Sequence, residues 1–255
     1  MKTAFCFVAL FVLGIVQSAG VMADNNEDVY NPKRLIFLLI GQSNMGGRAP
    51  IEAADKAALE RCELFNADRE WEAAKNPLNR YSRYRKDMGM QRLNPGYTFA
   101  KQMAAWDETA VIGLVVSARG GTNIDEWERG DHLYEEAVAR TLEAKRTGRL
   151  AGVLWHQGEA NRDDTDYIDK VKVLIGNLRE DLGVPALPFV AGQIHDNEDW
   201  AVNKQIAGLP LEVPNTAFVS SSGLVTFDNW HFDTASMREF GERYAVSMQP
   251  LIKKP

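Results

Sequence analysis

Two short stretches of this chain carry residue types that could do chemistry together. Ser43 lies just past the end of an apolar run in "LLIGQSNMGG", and "DNWH" places Asp228 three residues before His231 near the far end. A serine hydroxyl is a poor nucleophile until a base takes its proton. An imidazole suits that task when a carboxylate orients it and stabilises its charged form. Of the four histidines, His231 alone has an acid three residues earlier on an irregular segment. One turn of chain then returns Asp228 to Nδ1 of the ring and leaves Nε2 for Ser43. Acyl transfer by such a set also needs hydrogen-bond donors for a tetrahedral oxyanion. The Ser43 backbone N–H, an N–H within Gly120-Gly121 and a third group such as Gln157 are the candidates.

The elements that must position these groups read as alternating strands and helices. "RLIFLLIG" (34–41) is continuously apolar, as expected of a strand covered on both faces. "TAVIGLVVSA" (109–118), "LAGVLWHQ" (150–157) and "LPFVAGQI" (187–194) read alike, and "TAFVSSSGL" (216–224) is a weaker fifth strand. Helices are predicted from Asn94 (N-cap, with Pro95 at the first position) to Trp106, over 131–148, over 166–183, and from Asp233 to about Pro250. The second has Tyr134, Ala137, Val138, Thr141 and Leu142 on one face; the third has Tyr167, Val171, Leu174, Ile175, Leu178 and Leu182. This alternation implies an α/β fold, a parallel sheet with helices on both faces. Residues 46–92, charged and carrying Trp71, Tyr81 and Tyr84, read as an excursion over the sheet.

Ligands of open parallel sheets bind beyond the carboxyl ends of the strands. Here the polar clusters fall on that side: Gly-Gln-Ser-Asn (41–44), "ARGGTN" (118–123), "WHQGEAN" (155–161), "GQIHDN" (192–197) and "FDNWHFD" (227–233). Taken in order, "GQSNM", "ARGGTNIDEW", "WHQGE" and "DNWHFD" resemble the SGNH/GDSL hydrolase superfamily, in particular its carbohydrate esterase family six and sialate O-acetylesterase-like branch. The resemblance runs from about Lys33 to about Met248. It implies a three-layer α/β/α, flavodoxin-like fold, here with five parallel strands, and cofactor-free ester hydrolysis through a serine acyl-enzyme. It assigns Ser43 as nucleophile, Gly120 as the oxyanion glycine with Gly121 its neighbour, Gln157 as third donor where most of the superfamily has asparagine, and His231 with Asp228 as base and orienting acid. The substrate implied is an acetylated oligo- or polysaccharide, acetyl xylan first, with O-acetylated sialic acid or another short acyl ester as the alternative. A non-catalytic sugar binder on the same fold has no need of the complete Ser/His/Asp set.

Other residues at the strand ends read as support. Gln42 and Asn44 flank the serine. Glu159 reads as a carboxylate hydrogen-bonded within the site, or as a binder of sugar hydroxyls. His156 reads equally as a substrate contact or a packed ring, and His195 as a cleft or loop residue. Trp230, between acid and base, reads as a cleft wall. Asp233 reads as the N-cap of the last helix. The basic run "NRYSRYRK" (79–86) reads as a solvated face, with contact to an acidic sugar as the alternative. The histidines lack metal-ligand spacing, so no catalytic metal is expected.

Composition bounds the rest. The chain has 255 residues and a formal charge of -6, which opposes a nucleic-acid partner. Its first 23 residues, with one lysine, an apolar stretch and Val21 and Ala23 before the break, read as a signal peptide cut after Ala23. The run is too short for a stable membrane anchor. Residues 24–255 then form a single secreted or periplasmic domain. Cys6 leaves with the signal, so Cys62 has no partner in the chain and reads as a small buried apolar residue. Nothing in the sequence sets an oligomeric state.

Overall fold

The computed structural model describes residues 1–2, 29–195 and 200–253; the expected signal peptide falls outside them except at its first two positions. A seven-stranded sheet forms the middle layer, in the order β3-β2-β4-β1-β5-β6-β7. The strands are β1 Arg34–Gly41, β2 Cys62–Phe65, β3 Trp71–Ala73, β4 Val111–Ala118, β5 Arg149–His156, β6 Phe189–Gly192 and β7 Thr216–Val219. All pair in parallel except β3, which runs antiparallel to β2.

The helices are α1 Ser43–Gly46, α2 Pro95–Trp106, α3 His132–Lys145, α4 Tyr167–Asp181, α5 Ala201–Glu212 and α6 Thr234–Met248. The strand period of two explains why β1 is apolar throughout. Leu35, Phe37 and Leu39 pack into the core under α2 and α6, while Ile36, Leu38 and Ile40 pack into the core shared with α3, α4 and α5. All six are fully buried. Each contributes about 1.5–3 kcal/mol relative to exposure. This central strand therefore fixes where Gly41 and the residues after it emerge.

The class of fold is as expected; the strand count is corrected from five to seven. The 46–92 excursion does not simply lie over the sheet. It adds β2 to the free edge of β4 and folds β3 back onto it, with Asn66 Oδ1 accepting from Asp68 N and Glu70 N at the turn. It then returns through two short 3-10 turns, Leu78–Tyr81 and Met88–Met90. The Asn79 amide receives Ala118 N and donates to Ala118 O and Gln91, so the returning chain is tied to the end of β4.

The capping readings of two helices hold. Asn94 accepts from Gly96 N with Pro95 at the first position of α2, and Asp233 accepts from Ser236 N at the start of α6. The six apolar positions assigned to α4 are buried, whereas Leu142 of α3 is 41 % exposed and drops out of the expected face. Cys62 is buried, its thiol 3.5 Å from Ala100 O, and burial pushes its pKa up to about 12.

Candidate active site

The carboxyl ends of β1, β4 and β5 meet one irregular loop. Gly41 makes the meeting close. Its φ is +134°, and a Cβ there would strike the carbonyl of His156 on the neighbouring strand. Gln42 N donates to that same carbonyl at 2.8 Å. The chain then turns at once into α1, a single turn starting at Ser43, with no side-chain cap. Ser43 is therefore not spent as a capping residue.

Its Oγ lies 3.0 Å from Nε2 of His231. Nδ1 of His231 lies 2.7 Å from Oδ2 of Asp228. The other Asp228 oxygen accepts the backbone N–H groups of Trp230 and His231, both at 2.7 Å. This carboxylate thus closes its own turn and orients the ring. Burial alone would raise its pKa, but the ring and the two N–H groups outweigh that and hold it below the usual range.

The loop carrying His231 is held by the residue beside the serine. Asn44 Nδ2 donates to Trp230 O at 3.1 Å, and Asn44 Oδ1 accepts from Phe232 N at 3.3 Å. One amide therefore grips the chain on both sides of His231. The same Nδ2 also donates to Glu159 Oε1 at 2.8 Å. Glu159 is 5 % exposed. Its burial favours the neutral acid, but His156, a backbone N–H and Asn44 together keep its pKa below the ordinary value. Of the two readings for His156, packing is the one observed: the ring is fully buried, edge-on to Phe232 and Phe240, with Nε2 3.3 Å from Glu159.

A cavity of about 400 Å³ opens above these groups, lined by Gln42, Ser43, Gly120, Gly121, Glu159, Trp230 and His231. Among the described residues, the backbone N–H groups of Ser43 and Gly120 have no protein acceptor. Gly121 takes a φ of +79°, which a side chain resists. A Cβ at Gly120 would come within 2.4 Å of Arg48 Nη2, so the guanidinium would have to shift to admit one.

Gln157 departs from its expected place. It is fully buried and does not line the cavity. Its amide nitrogen faces Thr122 O at 3.0 Å, Asn161 Oδ1 at 2.6 Å and Gln42 Oε1 at 3.2 Å, three acceptors for two hydrogens. It has no N–H left for an oxyanion. Trp127 and Trp155 are core residues, each with its indole N–H donated to a hydroxyl. His195 stands edge-on to Trp200 and Trp230 beside the site.

Three cations in the cavity wall escaped the sequence reading as site residues: Arg48, Lys86 and Arg162. Arg48 Nη1 donates to Gly47 O and Met90 O, both at 2.8 Å, and burial lowers its pKa. Arg162 lies over the Trp230 ring at 5.3 Å. Lys86 belongs to the basic run, whose alternative reading pointed this way. The position of Arg162, one residue past "WHQGEAN", was the only sequence signal for it; Arg48 had none.

Residues 33–250 match the family model described as "Carbohydrate esterase, sialic acid-specific acetylesterase". A probable carbohydrate esterase of Arabidopsis thaliana is 37 % identical over 235 residues, covering 82 % of this chain and 88 % of that protein. The X-ray structure from that plant superposes with a TM-score of 0.77 at 33 % identity, over 88 % of this chain and all of the other. A carbohydrate acetylesterase of Xanthomonas citri shares the fold at 22 % identity (TM-score 0.64; 85 % of this chain, 56 % of that one). So does a putative GDSL-like lipase of Parabacteroides merdae at 11 % identity (TM-score 0.54; 87 % and 99 %). The chain therefore has the SGNH hydrolase fold and belongs to the carbohydrate esterase and sialic acid-specific acetylesterase family, as a carboxylic ester hydrolase acting on acetylated sugars.

Proposed function

We propose that this chain removes O-acetyl groups from carbohydrate through a Ser43–His231–Asp228 triad and an acyl-enzyme. The observation that carries the reading is the unbroken line from Asp228 Oδ2 through both ring nitrogens to Ser43 Oγ, at 2.7 and 3.0 Å. Both contacts lie within the reach proton transfer requires.

In the first step Ser43 Oγ bonds to the acetyl carbonyl carbon while His231 Nε2 takes the hydroxyl proton. The carbonyl oxygen becomes an oxyanion, received by the Ser43 and Gly120 N–H groups. The intermediate collapses, the bond to the sugar oxygen breaks, and His231 gives its proton to that oxygen. Water then attacks the acetyl-serine with the same histidine as base, and acetate leaves. Asp228 stabilises the imidazolium in both halves. Trp230 offers an aromatic face to a sugar ring beside the triad.

Acetylated xylan is the neutral substrate for this mechanism. A second reading, an acidic sugar such as O-acetylated sialic acid, is favoured by one observation: Arg48, Lys86 and Arg162 all line the cavity, against one wall carboxylate, Glu159. A neutral glycan has no partner for those charges. The apolar stretch within residues 1–23, with Val21 and Ala23 before the expected cut, supports export, and mass determination of the protein recovered from outside the cytoplasm tests it.

Acetate release from acetylated xylan, mannan, pectin and sialic acid ranks the substrates. Ser43→Ala should lower hydrolysis of a small acetyl ester by more than about 10³-fold. Near-full activity in that variant would sink the mechanism.

A further inference from the structure

A second cavity adjoins the active site and is larger, about 980 Å³ against about 400 Å³. It lies between α3 and the 46–92 excursion and includes no residue of the triad. We infer that it is a non-catalytic glycan site, which takes a carboxylate-bearing sugar of the chain whose acetyl group is removed next door. The inference rests on the carbohydrate esterase reading above.

Arginines from three segments line this cavity, and two of them are neutralised: Arg69 pairs with Glu143 at 3.3 Å and Arg80 with Glu72. Arg83, Arg85 and Arg140 form no ion pair among the described residues. Arg140 is held by two carbonyls, Tyr81 O and Phe65 O, with its Nε buried and unpartnered. Burial lowers its pKa by more than Glu136 raises it, so this cation is short of a counter-charge. Arg85 gives Nη1 to Ser82 O at 2.9 Å and Nε to Met88 Sδ at 3.0 Å, which leaves Nη2 for a ligand. Arg83 is exposed, and its guanidinium lies 5.7 Å over the Tyr84 ring without a protein acceptor. The acids left over, Glu135 and Glu136, accept the backbone N–H groups of Gly130 and Arg83. Glu136 thus fixes the backbone of Arg83 and leaves its side chain free. A planar guanidinium matches a carboxylate with two parallel hydrogen bonds.

The volume points to a sugar rather than a small free anion. Cavities of about 300–1,000 Å³ take whole organic ligands, and phosphate fills little of one. Tyr81 and Tyr84 supply aromatic surface for sugar rings. One segment walls both cavities: Arg85 and Met88 line the outer, Lys86 and Met90 the inner. Met88 and Met90 are 45 % and 44 % exposed, so the turn between the cavities offers apolar surface to a chain that crosses it. Arg119 Nη1 donates to Tyr84 O at 3.1 Å, which ties the outer wall to the residue before Gly120. When one chain fills both cavities, its second contact is intramolecular. Polymer then gains affinity and a small ester gains none.

The test is calorimetry of the full chain with two unacetylated probes, xylotetraose and the same oligosaccharide bearing a glucuronic acid branch. The acidic probe should bind at least about tenfold more tightly. Arg83→Ala and Arg83→Glu should abolish that advantage without lowering the melting temperature, because the side chain makes no hydrogen bond. Arg162→Ala, in the active-site wall, should keep it within about threefold. Arg83→Ala should also lower kcat/KM on acetylated glucuronoxylan by about tenfold and leave a small acetyl ester within about twofold. Equal binding of the two probes, an acidic preference that survives both Arg83 variants, or its loss in Arg162→Ala instead would overturn the proposal. So would displacement of the acidic probe by an equal concentration of inorganic phosphate, the mark of a simple anion site. Binding of an unacetylated probe does not pass through Ser43, so Ser43→Ala decides the esterase reading separately.

Discussion

Replacing Asn44 by aspartate changes one NH₂ into an oxygen and tests the brace behind the His231 loop. The new oxygen faces Glu159 Oε1, 2.8 Å from the present Nδ2, and Trp230 O at 3.1 Å. Asn44 is fully buried, so water cannot separate the groups. Two ionised carboxylates at that distance repel by about 6 kcal/mol even at an effective dielectric constant of about 20. The folded variant does better by binding a proton between them. Raising a carboxyl from its ordinary pKa of about 4 so that it stays protonated at pH 7 costs about 4 kcal/mol. The Phe232 N–H keeps its acceptor in either case.

The sign follows from proton counts. Between pH 4 and the raised pKa, the folded variant holds one proton more than its unfolded chain. Its stability therefore falls by about 1.4 kcal/mol per pH unit as pH rises. The parent behaves oppositely at this position. Glu159 is held below its ordinary pKa, so its contribution is present above the unfolded value and is lost as pH falls through the folded one. The two stability curves should converge near pH 4 and separate towards pH 7. A deficit of about 4 kcal/mol in a domain of this size corresponds to a fall of about 8–16 °C in melting temperature. Calorimetry of parent and variant from pH 4 to 8 measures it. A difference that is the same at pH 5 and pH 8 would refute an ionised Glu159 facing the Asn44 amide.

Three other outcomes follow from the same geometry. His231→Ala should lower kcat more than Asp228→Asn, by about tenfold or more, because the asparagine variant keeps a placed ring and every oxyanion donor; steady-state kinetics on a small acetyl ester separates them. Gly41→Ala must put a Cβ into the His156 carbonyl at a φ of +134°, and urea titration should show a loss of at least about 3 kcal/mol. Arg162→Ala, which removes the cation over Trp230, should raise KM for an acidic acetyl sugar by about tenfold and leave a neutral one within about threefold, since only the former has a charge to lose.

The legible part of this molecule is the part governed by local rules. β1 announces itself because a strand buried on both faces must be apolar at every position, and α4 because one stripe of a helix must be. Asn94 and Asp233 are readable as caps because a cap is a contact between near neighbours. The pairing of Asp228 with His231 is readable for the same reason: a three-residue spacing closes one turn. Less legible was α5, whose buried Val202, Ile206 and Leu209 share a face while Gly208 and Pro210 suggest a break. β2 and β3 were missed because "CELF" and "WEA" are too short to show a period, and edge pairing with β4 creates them.

Orientation of side chains at the strand ends was not legible, because it depends on which neighbour claims each hydrogen-bonding group. "WHQGE" places a glutamine at the right strand end, but nothing in that string says that Asn161, Thr122 and Gln42 will take up its amide. Nor does "GQSNM" say that Gln42 and Asn44 face opposite ways, one towards β5 and the cavity, the other onto the His231 loop. Those are decisions among donors and acceptors from four separate segments, made only when the sheet brings them together. The same argument explains Arg48. Its stem leaves the chain just after the short helix that begins at Ser43, and its head stops against Gly120 because carbonyls at Gly47 and Met90 hold it there. The backbone N–H at position 120 could come from any residue but proline; what the glycine adds is an empty face for the guanidinium, which a Cβ would approach to 2.4 Å.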